Sequence, residues 1–143
     1  MPDVIAVDSS VLIDLLGDDE RAPAAEACLR NALSAGPVVY CDVVLSEITA
    51  GLGHGSEVAD VIEEMGLHYS PVEPRVAVRA GEMQRKYNQR IESAGTRPAS
   101  VRTVPDFLVG AHAMLQCTGL ITRDAGFFRD YFKGLKIIVP QAG

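Results

Sequence analysis

Five short apolar runs separated by helical stretches set the tightest limit on how this chain can fold. Val4-Ile5-Ala6-Val7, Val38-Val39-Tyr40-Cys41, Gly119-Leu120-Ile121-Thr122 and the run over 136–139 are brief and continuous, and Leu67-His68-Tyr69-Ser70 is a weaker relative. Strands of this kind are buried on both faces, as in parallel sheets whose crossovers are helices. Between them the sequence predicts helices over 11–16, 20–34, 43–52, 56–65, 74–94, 103 or 104 to 117, and 127–132. Gly17, Gly36-Pro37, Gly53, Gly66 and Gly95 punctuate the pattern. Pro74 suits a first helical turn, and Asp42 can cap the helix that follows it. The expected class is α/β: a three-layer α/β/α sandwich around a central, mostly parallel five-stranded sheet. In such sheets the binding crevice lies beyond the carboxyl ends of the strands, where the strand order reverses.

The 143 residues are expected to form one domain, 1–143, with no internal repeat or linker. A chain of this length buries roughly 70% of its unfolded surface and needs no disulfide or structural metal. Hydrophobic content of 48% and charged content of 22% suit a soluble globular protein. Cys28, Cys41 and Cys117 are scattered, odd in number and lack metal-ligand spacing. They are expected to be buried free thiols in a reducing compartment. No basic-then-apolar leader opens the sequence, and no apolar run approaches the roughly 18 residues a membrane helix needs. The expected location is the cytoplasm.

Four acids, Asp8, Glu47, Asp106 and Asp124, end apolar runs or interrupt them. A carboxylate against an apolar face is costly unless something compensates it. Asp8 directly follows the first strand, so it stands at the crevice, where it can cap the next helix or act chemically. Glu47 has Val43, Val44, Ala50 and Gly51 as its helical face neighbours, which sets it in an apolar surround. Asp106, in Thr103-Val104-Pro105-Asp106, can reach back to cap its helix, can serve as a ligand, or can do both. Asp124 follows the fourth strand, with Thr122 one step inside, and can instead cap the helix at 127. If the fold brings the four together, their mutual repulsion calls for a cation. Carboxylate oxygens suit Mg²⁺ or Mn²⁺, and so phosphate chemistry.

The net charge of −6 is unevenly spread. Residues 1–70 hold two bases and thirteen acids, whereas residues 71–143 hold eleven bases and six acids. Arg75, Arg79, Arg85, Lys86, Arg90, Arg97 and Arg102 crowd one segment against Glu82 and Glu92. Such a segment is either a solvated helix face or a phosphate-contacting surface on an acidic protein. Asp14, Asp18, Asp19 and Glu20 read as a solvated cluster at a turn. His54, His68 and His112 share no metal-ligand spacing, no Ser/His/Asp or Cys/His set stands out, and no glycine-rich phosphate loop is present. Phe127, Phe128, Tyr131 and Phe132 read as core.

Taken in order, Val7-Asp8-Ser9-Ser10-Val11-Leu12-Ile13-Asp14, Leu45-Ser46-Glu47-Ile48, Pro105-Asp106-Phe107-Leu108-Val109-Gly110-Ala111-His112-Ala113 and Ile121-Thr122-Arg123-Asp124-Ala125-Gly126-Phe127-Phe128 resemble PIN-domain ribonucleases. Among these they are most similar to the VapC-type toxins of bacterial and archaeal toxin–antitoxin pairs. The resemblance spans the chain and implies a metal-dependent endoribonuclease. Its acidic quartet maps onto Asp8, Glu47, Asp106 and Asp124, with Ser10 and Thr122 as the supporting hydroxyls. It also implies a homodimer and a cognate antitoxin that places a basic side chain in the acidic pocket. Candidates to hold the RNA backbone are Arg75, Arg79, Arg85, Lys86, Arg97, Arg102 and Arg123. The rivals are a non-catalytic RNA-binding or scaffold domain, a response-regulator receiver and a haloacid-dehalogenase-like phosphatase. A receiver wants an acid pair after its first strand, and the phosphatase wants Asp-x-Asp there. Asp8-Ser9-Ser10 supplies neither.

Overall fold

A computed structural model describes residues 3–95 and 101–141. Strands β1 (Ile5–Val7), β2 (Val38–Tyr40), β3 (His68–Tyr69), β4 (Gly119–Ile121) and β5 (Lys136–Ile138) form one sheet in the order β3-β2-β1-β4-β5. Every pairing is parallel, with Ile5 opposite Val38 on one side and opposite Gly119 on the other. The three central strands are wholly buried, whereas β3 at the edge is exposed. Burial on both faces explains the three central runs and exposure the faint Leu67–Ser70; β5, an edge strand that is only partly buried, is apolar without that demand.

Seven helices cover the sheet among the described residues: α1 (Ser9–Leu16), α2 (Ala22–Ala35), α3 (Asp42–Leu52), α4 (Gly55–Glu64), α5 (Pro74–Ala94), α6 (Val104–Gln116) and α7 (Ala125–Tyr131). The result is the expected three-layer α/β/α arrangement. Chain direction along the sheet reverses between β1 and β4, because β2 and β3 extend to one side and β4 and β5 to the other. The crevice of a parallel sheet opens at that reversal. Asp8 leaves β1 there, and Thr122, Arg123 and Asp124 leave β4 beside it.

Two details of the sequence reading change. Asp42 does not cap α3. It is the first helical residue, Cys41 holds the cap position, and an Asp42 oxygen accepts the Val72 N–H at 3.2 Å. Asp14 is not solvated: it is 3% exposed.

An aromatic cluster locks α5, α6 and α7 together below the crevice. Phe107 stands at its centre, with ring centroids 5.5 Å from Tyr87, 5.3 Å from Phe127 and 5.8 Å from Tyr131. The last two pairs are edge-on, and such pairs add about 0.5–1.5 kcal/mol each beyond the area they bury. The Phe132 ring lies flat against the backbone of α6 at Gly110, leaving no room for a side chain there. Gly110→Ala would drive a methyl group into that ring. We expect a loss of about 2 kcal/mol or more, the upper part of the overpacking range. Urea unfolding of wild type and variant, compared at equal m-value, checks it.

Candidate active site at the strand-order switch

Asp8 is the innermost acid of the crevice. It is 9% exposed and caps α1, accepting the Ser9 N–H at 2.8 Å. Its other oxygen accepts the hydroxyls of Ser10 at 3.2 Å and Thr122 at 2.7 Å. Burial raises the Asp8 pKa, with a small further push from Asp124, and the three hydrogen bonds only partly oppose this.

Thr122 is fully buried and serves two acids at once. Its hydroxyl donates to Asp8 and accepts the Asp124 N–H at 3.0 Å. Only adjacent parallel strands ending at the same level allow this, and Val7 does sit opposite Ile121.

Glu47 reaches the same crevice from α3. Half-buried, it accepts the Ser9 hydroxyl at 3.1 Å. Burial raises its pKa, and the charges of Asp8 and Asp106 add to the rise. Asp106 sits in the first turn of α6, and one of its oxygens accepts the Thr103 N–H at 3.0 Å. Cap and pocket acid are thus one residue, as its spacing allowed.

Asp124 occupies the N-cap position of α7 with no side-chain bond to that helix. Its carboxylate is forked by Arg102, whose Nη1 bonds Oδ2 and whose Nη2 bonds Oδ1 at 3.1 Å. The same guanidinium lies 3.9 Å from Asp106 Oδ1 and stacks 4.4 Å over the Phe127 ring. Its hydrogen bonds to Asp124 raise the Arg102 pKa against the opposing effect of burial.

Asp8 thus feels the charge of Asp124, Glu47 feels those of Asp8 and Asp106, and the hydroxyls of Ser10 and Thr122 donate to Asp8. The donor set is all oxygen, which fits a hard divalent ion. Among the described residues, however, no three acidic, histidine or cysteine side chains already stand close enough to grip a metal. The positive charge in the crevice comes from Arg102.

The predicted RNA-binding bases divide into three groups. Arg79, Arg85 and Lys86 are exposed on α5, and Arg75 and Arg90 are exposed but engaged, with Glu73 and with the Tyr131 hydroxyl. Arg102 and Arg123 face acids: Arg123 Nε lies 2.5 Å from Asp14 Oδ2, while its backbone N–H bonds the Ser10 hydroxyl at 3.4 Å. Arg97 lies outside the described residues.

The sequence reading missed Asp14 and Ser9. Asp14 stands four residues after Ser10, on the same face of α1, with apolar neighbours on either side; that spacing is the signal that would have found it. Ser9 carried no such mark, because its partner Glu47 is 38 residues away.

A family model described as "PIN domain" matches residues 5–133. No curated protein matches the sequence. Several solved structures share the fold. VapBC2 from Rickettsia felis, solved bound to a promoter DNA fragment, is 12% identical with a TM-score of 0.68, over 96% of this chain and 99% of that one. A toxin–antitoxin complex from Klebsiella pneumoniae is 19% identical with a TM-score of 0.60, over 97% and 99%. Mycobacterium tuberculosis VapC20, described as a sarcin-ricin loop cleaving toxin, is 18% identical with a TM-score of 0.57, over 92% and 98%.

The raised Asp8 pKa has a sign that can be measured. The native state holds that proton more tightly than the unfolded chain, so ionising Asp8 costs stability. The cost is absent below the ordinary carboxyl range, grows as pH climbs through the raised native value, and is full above it. Asn caps a helix about as well as Asp. Asp8→Asn in EDTA should therefore match or exceed wild type in urea midpoint at pH 7, with the advantage shrinking towards pH 4. A variant less stable at pH 7 than at pH 4, relative to wild type, would contradict the burial argument.

Proposed function

The chain belongs to the PIN-domain family, and on that premise we propose that it is a divalent-metal-dependent endoribonuclease, the toxin half of a toxin–antitoxin pair. The observation that carries this reading is the meeting of Asp8 and Asp124 at the strand-order switch, where the buried Thr122 hydroxyl donates to the Asp8 carboxylate and accepts the Asp124 backbone N–H. Asp8 is nearly out of water and feels the charge of Asp124, a costly arrangement that a cation would relieve.

Asp8, Asp106 and Asp124, with Glu47 near, would hold one or two Mg²⁺ or Mn²⁺ ions. Such an ion, when bound, lowers the pKa of water and offsets charge that develops at phosphorus. The chain's own part is positional. Ser10 and Thr122 fix one Asp8 oxygen so that the carboxylate cannot rotate. Ser9 tethers Glu47, and the raised pKa of Glu47 suits it to take a proton from an attacking water.

RNA would lie along α5, where Arg75, Arg79, Lys86 and Arg90 recur at helical spacing one residue away from the buried stripe Val76, Ala80 and Tyr87. Tyr87 and Gln84 reach from that helix to the backbone of Arg102, which joins the basic face to the acidic crevice. A cognate antitoxin and a second copy of the chain complete the proposal. A groove of about 440 Å³, lined by Leu15, Leu16, Leu29, Leu33 and Met65 with the ion pair Glu26–Arg30, offers an antitoxin segment a seat. The family resemblance and the toxin–antitoxin complexes that share the fold support the partner.

The rival reading, a non-catalytic RNA-binding or scaffold domain, draws on a specific observation. Asp8 and Asp106 already work as caps, and Asp124 is already paired with Arg102. Cleavage of a mixed RNA pool separates the two. We expect cutting with Mg²⁺ or Mn²⁺, none with EDTA, and a loss of more than about 100-fold in Asp8→Asn, since even indirect supports of a metal ligand cost about 10–100-fold. Asp8→Asn protein that cuts as fast as wild type would sink the catalytic assignment. For the basic face, Arg79→Glu/Arg85→Glu/Lys86→Glu should weaken RNA binding and lower the slope of log K against log salt by about 2, the share of three single-strand phosphate contacts. Filter binding from low to high salt measures it, and an unchanged slope would move the RNA elsewhere.

A further inference from the structure

We propose that Arg102 is the built-in counter-cation of the acidic crevice, and that its guanidinium competes with a divalent ion for Asp124. The proposal rests on the metal-dependent reading above and adds a residue that opposes loading of the site.

Arg102 is held as few arginines in this chain are. Its side chain is 24% exposed, whereas those of the ion-paired Arg30 and Arg75 are 77% and 57% exposed. Its guanidinium forks both oxygens of Asp124, lies near Asp106 and rests on the face of Phe127. Its backbone is fixed on both sides: the N–H donates to the Tyr87 hydroxyl at 3.0 Å, and the carbonyl accepts from Gln84 Nε2 at 3.3 Å. Elements α5, α6 and α7 thus aim one side chain into one spot.

A bidentate fork uses the carboxylate lone pairs that a hard cation would need. Arg102 and an ion cannot both hold Asp124 in that way. The chemistry also explains why the ion-free crevice is tolerable: it gathers carboxylates around buried Asp8, and the guanidinium offsets that charge. An entering ion takes over the same task and must displace Arg102 from Asp124. While the fork is closed the site is not competent, so apparent ion affinity falls by the fraction of time it is open.

The test uses the full chain and Mn²⁺ itself. Free Mn²⁺ is followed by electron paramagnetic resonance for wild type, Arg102→Gln, Arg102→Met, Arg102→Lys and Asp8→Asn. Thermal unfolding is recorded in EDTA and in Mn²⁺. We expect the Gln and Met variants to bind Mn²⁺ about tenfold tighter, the factor expected if the fork is closed about nine-tenths of the time. They should unfold at lower temperature in EDTA and show a larger Mn²⁺-induced rise than wild type. Arg102→Lys keeps the charge without the fork and should fall between; if Gln and Met fail to fold, it decides alone. Equal or weaker Mn²⁺ affinity in folded variants overturns the proposal and leaves Arg102 a structural brace. In that outcome, loss of Mn²⁺ binding in Asp8→Asn would show that the ion site of the proposed function still stands. If neither wild type nor any Arg102 variant binds Mn²⁺, the ion site itself is wrong and the competition falls with it.

Discussion

The carboxylate of Asp8 is almost out of water, and the arrangement of the crevice follows from that fact. A buried charge needs either hydrogen bonds or a counter-charge. Ser9, Ser10 and Thr122 provide the first. Thr122 can do so only because β4 lies directly against β1, with Val7 opposite Ile121. The reversal of strand order is therefore more than an architectural label. It brings the ends of two strands that are distant in sequence within the reach of one hydroxyl. The three-residue length of the central strands keeps those ends in register, with little room for one to overshoot the other.

Three of the four acids also stand where a helix begins: Asp8 before α1, Asp106 in the first turn of α6 and Asp124 before α7. The partial positive charge of a helix N-terminus stabilises a carboxylate by about 0.3–1 kcal/mol in ordinary settings. The fold thus softens the concentration of negative charge without removing it. Capping and chemistry are not alternatives here, because the position that lets a carboxylate cap a helix also points it into the crevice. Glu47 is the exception. It enters from the interior of α3 with no helix end to help it, and burial raises its pKa accordingly. It shares that rise with Asp8, which burial also raises although it stands at a helix start.

What could be read from the sequence was what local spacing encodes. Short apolar runs gave the strands, glycine and proline gave the helix limits, and the acids at run ends gave the crevice. The β3 run was faint because an exposed edge strand lacks the two-sided apolar demand of β1, β2 and β4. What could not be read was pairing across distance. Arg102 meets Asp124 over 22 residues, and Arg123 meets Asp14 over 109. No periodicity signals such an encounter. An arginine destined for a buried carboxylate looks, in sequence, like one destined for water or for RNA. Asp14 was misplaced for a related reason: its neighbours Asp18 and Asp19 belong to an exposed turn, and proximity in sequence suggested a shared environment. Asp42 shows the limit of cap rules. The residue type and position suited capping, but a tertiary partner, the Val72 N–H, claimed the side chain.

The uneven charge of the chain presents an apparent conflict, since an acidic first half should repel the nucleic acid that a basic second half would attract. Screening eases it. At physiological ionic strength a surface charge is screened beyond about 8 Å. What matters to a polyanion is the potential where it lies, not the net charge of the molecule. Arg75, Arg79, Lys86 and Arg90 recur along α5 with Glu82 between them, and the exposed acids of the first half lie on other elements. The two regions meet at Arg102, whose backbone is tied to the basic helix and whose guanidinium is tied to the acids. A residue so placed sets the potential at the mouth of the crevice. With the fork closed, the crevice is shielded. With the fork open, the acids are bare to a cation and a freed guanidinium stands at the rim, the chemical type that forks a phosphate. The segregation of charge along the sequence thus becomes, in three dimensions, a boundary with one arginine on it.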